Sequence, residues 1–287
     1  MVGFEQIVED IYRLETSPEG VWNGIIFVDG EEKVLIDSGI DAKNIDSLLV
    51  PALAELGYQL SDIDWLLNTH CHGDHVGGHK RIVTLGNVKV AVYKESVPKL
   101  HDPLMYSKLI RATFPKYSPA APSVLEGVQE TRILEDGEMI AGRLKLIATP
   151  GHDDDCVCFY DIKTKSLITG DSLQGNGTKS QGTALYMSLP DYRSSLQKLK
   201  QMDICNIRSG HPYLYSGDRA IGKAESIEYL KKCEEIIEIY DAFIKAEVQN
   251  GEAEVATIAE RLIAHMKNEK PGYLFLPMYT VKTHLEN

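Results

Sequence analysis

The chain has 287 residues, of which 43% are hydrophobic and 25% charged, and its formal net charge is −12. This composition is typical of a globular protein with a large core, and it excludes fibrous and low-complexity chains. No apolar run approaches the roughly 20 residues that span a bilayer, and the N-terminus lacks signal-peptide features, so we expect a cytoplasmic protein without membrane association. The acidic charge makes nucleic acid an unlikely partner.

The first part of the chain predicts strands around one early helix. Apolar runs at Val21–Val28 and Lys33–Asp37 flank Asp29-Gly30, which is a strong hairpin signal. Apolar residues at helical spacing predict a helix over Ala42–Leu56. Further strands are predicted at Ile63–Leu67, Val88–Val92, Leu144–Ile147, Val157–Tyr160, Leu167–Ile168 and Ile204–Ile207. This order indicates a layered α/β domain rather than a helix bundle.

The chain changes character near Lys223, where a long amphipathic helix begins and Asn250-Gly251 ends it. A second helix is predicted over Val255–Met266, before a break at Pro271-Gly272. We therefore predict a main domain over residues 1–218 and a C-terminal helical extension over residues 219–287. The extension is expected to pack on the main domain or to form a homodimer.

The segment His70-Cys71-His72-Gly73-Asp74-His75 concentrates groups that bind metal ions. In an extended loop, His70 and His72 project to the same side and can reach one ion. Gly73 allows the chain to turn, so that Asp74 and His75 face a neighbouring position. Three imidazoles and a carboxylate within six residues are costly to bury unless they coordinate something.

Three later residues share one local pattern: His152, Asp171 and His211 each follow an apolar strand-like run, and each is directly preceded by glycine. Residues beyond strand ends cluster at one edge of the sheets in layered α/β folds, so we expect these three side chains near the first segment. The other four histidines are expected to be structural or exposed: His79, His101, His265 and His284.

These residues resemble the metallo-β-lactamase superfamily. The match comprises its HxHxDH signature at 70–75, then Thr149-Pro150-Gly151-His152, Gly170-Asp171 and Gly210-His211, and an early turn at Asp37-Ser38-Gly39. The resemblance extends from about Val21 to Pro212. It implies an α/β fold, the four-layer αββα sandwich, with the site at one edge between the two sheets.

The resemblance also implies two divalent metal ions, zinc first, with manganese or iron as alternatives. Carried over position by position, the first ion would be held by His70, His72 and His152, the second by Asp74, His75 and His211, and both by a bridging Asp171. A hydroxide shared by the two ions would attack the substrate, and Asp74 would orient it as a catalytic residue. Asp37 is either the partner that orients a histidine or a turn-forming residue.

The implied function is hydrolysis of a small ester, thioester or lactone. His72 separates the chain from the flavo-diiron relatives of the family, which have glutamate there, and Asp171 separates it from the true β-lactamases. An antibiotic-degrading role is therefore not expected. The alternatives are a phosphodiesterase or ribonuclease of the same fold, a mononuclear-iron dioxygenase, and a non-catalytic regulator.

Two segments are expected to form the substrate pocket. Ser96–Glu126, rich in proline and aromatic residues, predicts an irregular or helical cap. Leu173–Tyr192 contains Tyr186, which either orients the substrate carbonyl as a catalytic residue or packs in the core. It also contains Lys179, which could meet a substrate carboxylate or phosphate.

One stretch departs from the family pattern: Asp153-Asp154-Asp155 follows His152 directly. A solvated acidic loop is the favoured interpretation. The alternatives are that these carboxylates tune the metal ions or repel anionic substrates.

Overall fold

The computed structural model describes residues 3–16 and 23–287, so the start of the predicted strand Val21–Val28 lies outside the described residues. Within them, the first sheet has seven strands in chain order: β1 (Glu5–Val8), β2 (Ile11–Glu15), β3 (Gly24–Asp29), β4 (Lys33–Ile36), β5 (Trp65–Leu67), β6 (Lys89–Tyr93) and β7 (Arg132–Leu134). The second sheet has six strands: β8 (Met139–Ile140), β9 (Leu144–Ala148), β10 (Val157–Asp161), β11 (Ser166–Gly170), β12 (Asn206–Tyr213) and β13 (Gly217–Ile221).

The helices form two groups along the chain, the first between strands of the first sheet and the second mainly after the strands. The first group is α1 (Ala42–Asn44), a π-helical stretch (Ile45–Leu49), α2 (Val50–Glu55), α3 (Gly73–Val76), α4 (His79–Gly86), α5 (Val97–His101) and α6 (Pro103–Ala112). The second group is α7 (Leu189–Lys200), α8 (Lys223–Gln249), α9 (Val255–His265) and α10 (Phe275–Leu285). Short 3₁₀ turns occur at Leu60–Asp62 and Lys94–Ser96.

Three layers of buried apolar side chains lie between the four layers of secondary structure in the αββα sandwich. The layer between the sheets combines buried residues of both, such as Ile36 and Leu67 with Phe159 and Ile168. A second layer joins the outer face of the first sheet to the early helices, and a third joins the second sheet to α7, α8, α9 and α10. The central strands of each sheet are therefore buried on both faces. The predicted fold class is confirmed.

The sheet topology places the chemically important residues at one edge. β4, β5 and β6 run parallel to one another, and so do β11 and β12. The carboxyl ends of parallel strands meet at the same edge of a sheet. Asp37 follows β4, the His70 segment follows β5, and Asp171 follows β11, so these side chains come together without any long connection.

The C-terminal helices pack on the second sheet, which is one of the two arrangements that the sequence predicted. Buried Tyr229, Ile236 and Ile237 of α8 pack in the same cluster as Leu167 and Ile207 of the second sheet. The predicted boundary between residues 218 and 219 falls inside β13. The predicted helix end near residue 250 is confirmed, whereas α10 was not predicted. In the described part of the chain, no helix combines the length and apolar composition needed to cross a membrane.

Candidate metal centre and substrate cleft

Three histidines form the first group of candidate ligands. Nitrogens of His70, His72 and His152 lie within 4.8 Å of one another. The Nδ1 atom of His152 lies 2.7 Å from the carbonyl oxygen of Leu185, to which it donates, so its Nε2 carries a lone pair. That Nε2 lies 3.0 Å from Nδ1 of His72. The Nε2 atom of His70 is buried and has no hydrogen-bond partner.

The second group comprises Asp74, His75 and His211. Nε2 of His211 lies 3.1 Å from Oδ2 of Asp74, and it faces Nε2 of His75 at 3.4 Å. Nε2 of His75 lies 3.8 Å from the same carboxylate oxygen. Both rings are buried, and Asp74 is 23% exposed. Three donor atoms thus converge on one point beside the first group.

Asp171 joins the two groups. Its Oδ1 lies 3.3 Å from Nε2 of His75 and 3.5 Å from Nε2 of His211, and its Oδ2 lies 3.6 Å from Nε2 of His152. Oδ1 is buried without a hydrogen-bond partner. Close approach of the chain here requires glycine, because a Cβ on Gly210 would lie 2.7 Å from Oδ1 of Asp171. The seven predicted ligands are therefore brought together, in the grouping that the resemblance implied.

The pKa shifts of four of these histidines differ between the first and the second group of candidate ligands. Burial, and then the neighbouring His72 ring, lowers the pKa of His152 to about 3, and burial also holds the pKa of His70 well below its ordinary value. Burial acts in the same direction on His75 and His211, but nearby carboxylates prevail and raise the pKa of both. Neutral imidazoles are metal ligands, and a cation between the carboxylates would replace the protons of the second group.

Asp37 orients His75 and also fixes the preceding loop. Its Oδ2 lies 2.8 Å from Nδ1 of His75, and its Oδ1 accepts a 2.8 Å hydrogen bond from the backbone N–H of Thr69. The carboxylate is buried, and Asp37 holds a positive φ of 64°. With its proton on Nδ1, His75 directs the Nε2 lone pair at the candidate site. Of the two interpretations of Asp37, the structure shows the orienting contact.

The three aspartates after His152 are not a solvated loop. Asp153 and Asp155 are buried, and only Asp154 is exposed. All three carboxylates contact the ammonium of Lys99, at 2.7 Å for Asp153 and 2.9 Å for Asp155. Oδ2 of Asp153 also lies 3.3 Å from Nε2 of His72. The favoured interpretation is therefore wrong for two of the three, because one lysine with a side chain only 11% exposed offsets part of the cost of burying them.

Tyr186 lies in the core, outside the candidate site. Its side chain is fully buried and stacks on Tyr192 at a ring distance of 4.6 Å. Its hydroxyl bonds to Nε2 of His284 at 2.8 Å. The catalytic interpretation of Tyr186 is corrected to its alternative, a packing aromatic. The tyrosine beside the ligands is Tyr106, whose ring stacks on His72 and whose hydroxyl contacts Asp153.

The remaining histidines lie apart from these clusters. His79 is buried and bonds to Ser38 at 2.7 Å, and His101 contacts Glu130. His265 is exposed against Phe243. With His284 in the core, all four have the structural or exposed positions that were predicted.

A cleft of about 490 Å³ opens from the ligand cluster. One wall comes from the predicted cap, including Tyr106, Ile110 and Arg111, and a second from the segment after Asp171, including Leu185 and Met187. Phe275 and Leu276 of α10 complete it. Lys179 does not line this cleft. The walls are mainly apolar and carry a small number of polar groups, as is typical of small-molecule sites.

This chain is similar in sequence and in fold to known proteins. The family model described as the Metallo-beta-lactamase superfamily matches residues 18–215, well over half of the chain. The chain therefore belongs to the metallo-β-lactamase superfamily, whose members are mostly hydrolases and whose fold binds divalent metal ions. Among solved structures, a metallo-beta-lactamase family protein from Thermus thermophilus has a TM-score of 0.75 at 21% identity, covering 98% of this chain and 93% of that one. This likeness shows the fold.

Two curated relatives give the range of similar sequences. A beta-lactamase-like protein 2 homolog from Caenorhabditis elegans is 31% identical over 217 residues, which are 73% of this chain and 62% of that protein. An atrochrysone carboxyl ACP thioesterase from Cryptosporiopsis sp. (strain 8999) is 25% identical over 194 residues, which are 66% of this chain and 48% of that protein. The matched segment thus spans about half to three fifths of these relatives.

The first prediction concerns Lys99, whose side chain is 11% exposed. Lys99→Met leaves buried Asp153 and Asp155 without a counter-charge, so we expect the free energy of unfolding to fall by about 3 kcal/mol. Urea denaturation at pH 7 measures this change. Lys108→Met, at an exposed position on α6, is the matched control. Equal stability of the Lys99 variant and the wild type would contradict the neutralising role of Lys99.

The second prediction concerns Tyr186. Tyr186→Phe removes a buried hydrogen bond to His284, so we expect a stability loss of about 1 kcal/mol. We expect unchanged turnover of any substrate that the wild type cleaves, because the hydroxyl lies outside the cleft. Thermal unfolding and steady-state kinetics measure the two effects. A large loss of kcat with unchanged stability would return Tyr186 to the catalytic machinery.

Proposed function

We propose that this protein is a hydrolase that binds two divalent metal ions, preferably zinc, and cleaves a small ester, thioester or lactone. The observation that carries the proposal is the pair of buried three-donor clusters joined by Asp171 at the end of an apolar cleft. Imidazole nitrogens and carboxylate oxygens are ligands that suit zinc, with manganese and iron as alternatives.

The donor set fits such ions on features of this chain alone. Nε2 of His70 and Oδ1 of Asp171 are buried polar atoms without hydrogen bonds, which is costly unless something else binds them. Nitrogens of different rings face each other at 3.0 and 3.4 Å. In the proposed site, His70, His72 and His152 would hold one ion, Asp74, His75 and His211 would hold the other, and Asp171 would be shared between them.

Two bound divalent ions would supply a nucleophilic hydroxide at neutral pH and polarise the substrate carbonyl. Asp74 is the more exposed of the two proposed carboxylate ligands, and it lies at the floor of the cleft. We assign it to orient the attacking oxygen towards the carbonyl carbon. Attack forms the new C–O bond at the carbonyl carbon, the bond from that carbon to the leaving oxygen or sulfur then breaks, and the leaving group takes the proton that the attacking water has lost. Asp37 and Leu185 keep His75 and His152 in the tautomers that this arrangement needs.

The cleft supports a small acyl compound as the substrate. Its volume suits a small molecule, and its lining contains a single lysine or arginine among the described residues, Arg111. A polynucleotide substrate would require a row of cations along its backbone. The thioesterase named among the relatives supports the acyl class. The homodimer and the cytoplasmic location stay predictions.

The third prediction tests the site through its bridging residue. Asp171→Ala removes the contact shared by the two donor groups, so we expect metal content to fall from two ions per chain to one or fewer. We expect kcat/KM on thioesters and lactones to fall at least about 1,000-fold. Elemental analysis and steady-state kinetics measure the two effects. His265→Ala, an exposed histidine outside the clusters, is the control and should change neither quantity.

Two results would contradict the assignment. Full metal content and normal turnover in Asp171→Ala would remove the bridging role. A loss of metal in His265→Ala would mean that a ligand lies in the C-terminal region. Asp171→Asn, which keeps the shape of the side chain, shows whether any loss comes from the missing charge or from poor folding.

A further inference from the structure

Arg111 has an unusual position for a charged residue. It lies in the last turn of α6 and lines the cleft beside Ile110 and Leu276. Its Nη1 donates to the carbonyl oxygen of Ser107 at 2.8 Å and to its hydroxyl at 2.6 Å. Its guanidinium lies 5.7 Å from the ring centre of Phe275 in α10. The side chain is therefore held between the cap and the C-terminal helix, with its charge inside the cleft.

This charge has no carboxylate partner within residues 3–16 and 23–287. Each of the other eight arginines lies within 3.5 Å of a carboxylate oxygen. Arg111 makes no such contact, although it is only partly exposed. Burial lowers the pKa of Arg111, and no neighbouring charge acts on it. A desolvated cation without a counter-ion is costly, so a cleft that retains one is suited to receive an anion.

Two N–H groups on one edge of the Arg111 guanidinium have no hydrogen-bond acceptor in the described part of the chain. Nη1 is occupied by Ser107, whereas Nε is buried without an acceptor and Nη2 donates no hydrogen bond to any described residue. Nε–H and Nη2–H point in the same direction along one edge of the planar group. That edge matches the two oxygens of a carboxylate or phosphate, which arginine binds in a bidentate manner.

Groups of opposite charge therefore line the same cleft. Asp74 and Asp171 line it together with His72, His152 and His211, and Arg111 is the single lysine or arginine in the described lining. The apolar side chains of Leu185, Met187 and Leu276 also line the cleft. A complementary substrate has a cleavable acyl bond, an apolar body and a terminal anion.

We propose that Arg111 binds a carboxylate or phosphate group of the substrate, which makes the substrate an anionic ester or thioester. This inference rests on the proposed hydrolase function. The anion is carried either by the acyl group or by the leaving thiol or alcohol. Arg111 is then the specificity residue, in the role that the sequence suggested for Lys179.

The test compares matched thioesters that differ only in the anion. The acyl arm compares glutaryl with pentanoyl N-acetylcysteamine, and the thiol arm compares butyryl-pantetheine 4′-phosphate with butyryl-pantetheine. We expect the wild type to prefer the anionic member of one pair. Arg111→Gln should lower that kcat/KM about 10- to 100-fold and leave the neutral member unchanged, which also shows that the variant folds. The pair that responds identifies which side carries the anion.

Two further variants sharpen the comparison. Arg111→Lys keeps the charge but loses the planar fork, so it should recover only part of the preference. Lys108→Gln removes an exposed charge from the same helix and should leave both preferences at their wild-type values. If Arg111→Gln changes neither preference, Arg111 serves only to pack against Phe275 and to interact with the end of α6, and the proposal is overturned.

Binding separates this proposal from the hydrolase function. Isothermal titration with glutarate and with pantetheine 4′-phosphate measures the anion site whether or not any thioester is cleaved. Binding that is about 10-fold or more weaker in Arg111→Gln supports the anion site, even if the hydrolase proposal fails. Equal affinities in the variant and the wild type overturn the anion site, even if neutral thioesters are cleaved.

Discussion

The close approach of seven electron-pair donors to one another is the constraint on which the rest of this structure depends. Seven histidine and aspartate side chains converge where the two sheets meet, and several of their nitrogen and oxygen atoms lie 3.0 to 3.6 Å apart. Lone pairs at such distances repel unless protons or metal ions lie between them. The surrounding structure must therefore hold the cluster together, and an ion bound there would stabilise the folded chain.

The fold meets this constraint with rigid supports. Parallel strands end at the same edge, so the ligand loops are short and anchored in two buried sheets. Asp37 and Leu185 fix two histidine rings from behind, and Gln174 donates to the carbonyl oxygen of Asp171 at 3.0 Å. Lys99 offsets part of the negative charge of the three aspartates that follow His152. The C-terminal helices extend this frame, because α10 supplies part of the cleft wall.

Much of this could be predicted from local sequence patterns. Glycine before a ligand, an apolar strand before the glycine, and the closely spaced histidines are all visible in the chain, so the ligand cluster and most central strands were found. The edge strands β1, β7, β8 and β13 and the inner strand β2 were missed because they are short or carry few apolar residues. Tyr186 was misassigned because its neighbours in the sequence do face the cleft. Leu185 and Met187 line it, and the residue between them points the other way into the core.

Other features depend on contacts that no local pattern reveals. Lys99 meets Asp153 across 54 positions of sequence, so the burial of the aspartates could not be inferred from their own segment. Arg111 differs from the other arginines only in the folded chain, where each of the others lies within 3.5 Å of a carboxylate oxygen. The packing of α8 on the second sheet likewise appears only in the folded core.

The most direct test of the central claim is the metal content of the wild-type protein. Elemental analysis of chain purified without chelators or an affinity metal gives the number and identity of the ions. We expect two divalent ions per chain, zinc first, since Asp171 lies between two groups of donor atoms. A single iron per chain would contradict the dinuclear site and favour dioxygenase chemistry, and a chain that binds no metal would contradict the hydrolase itself.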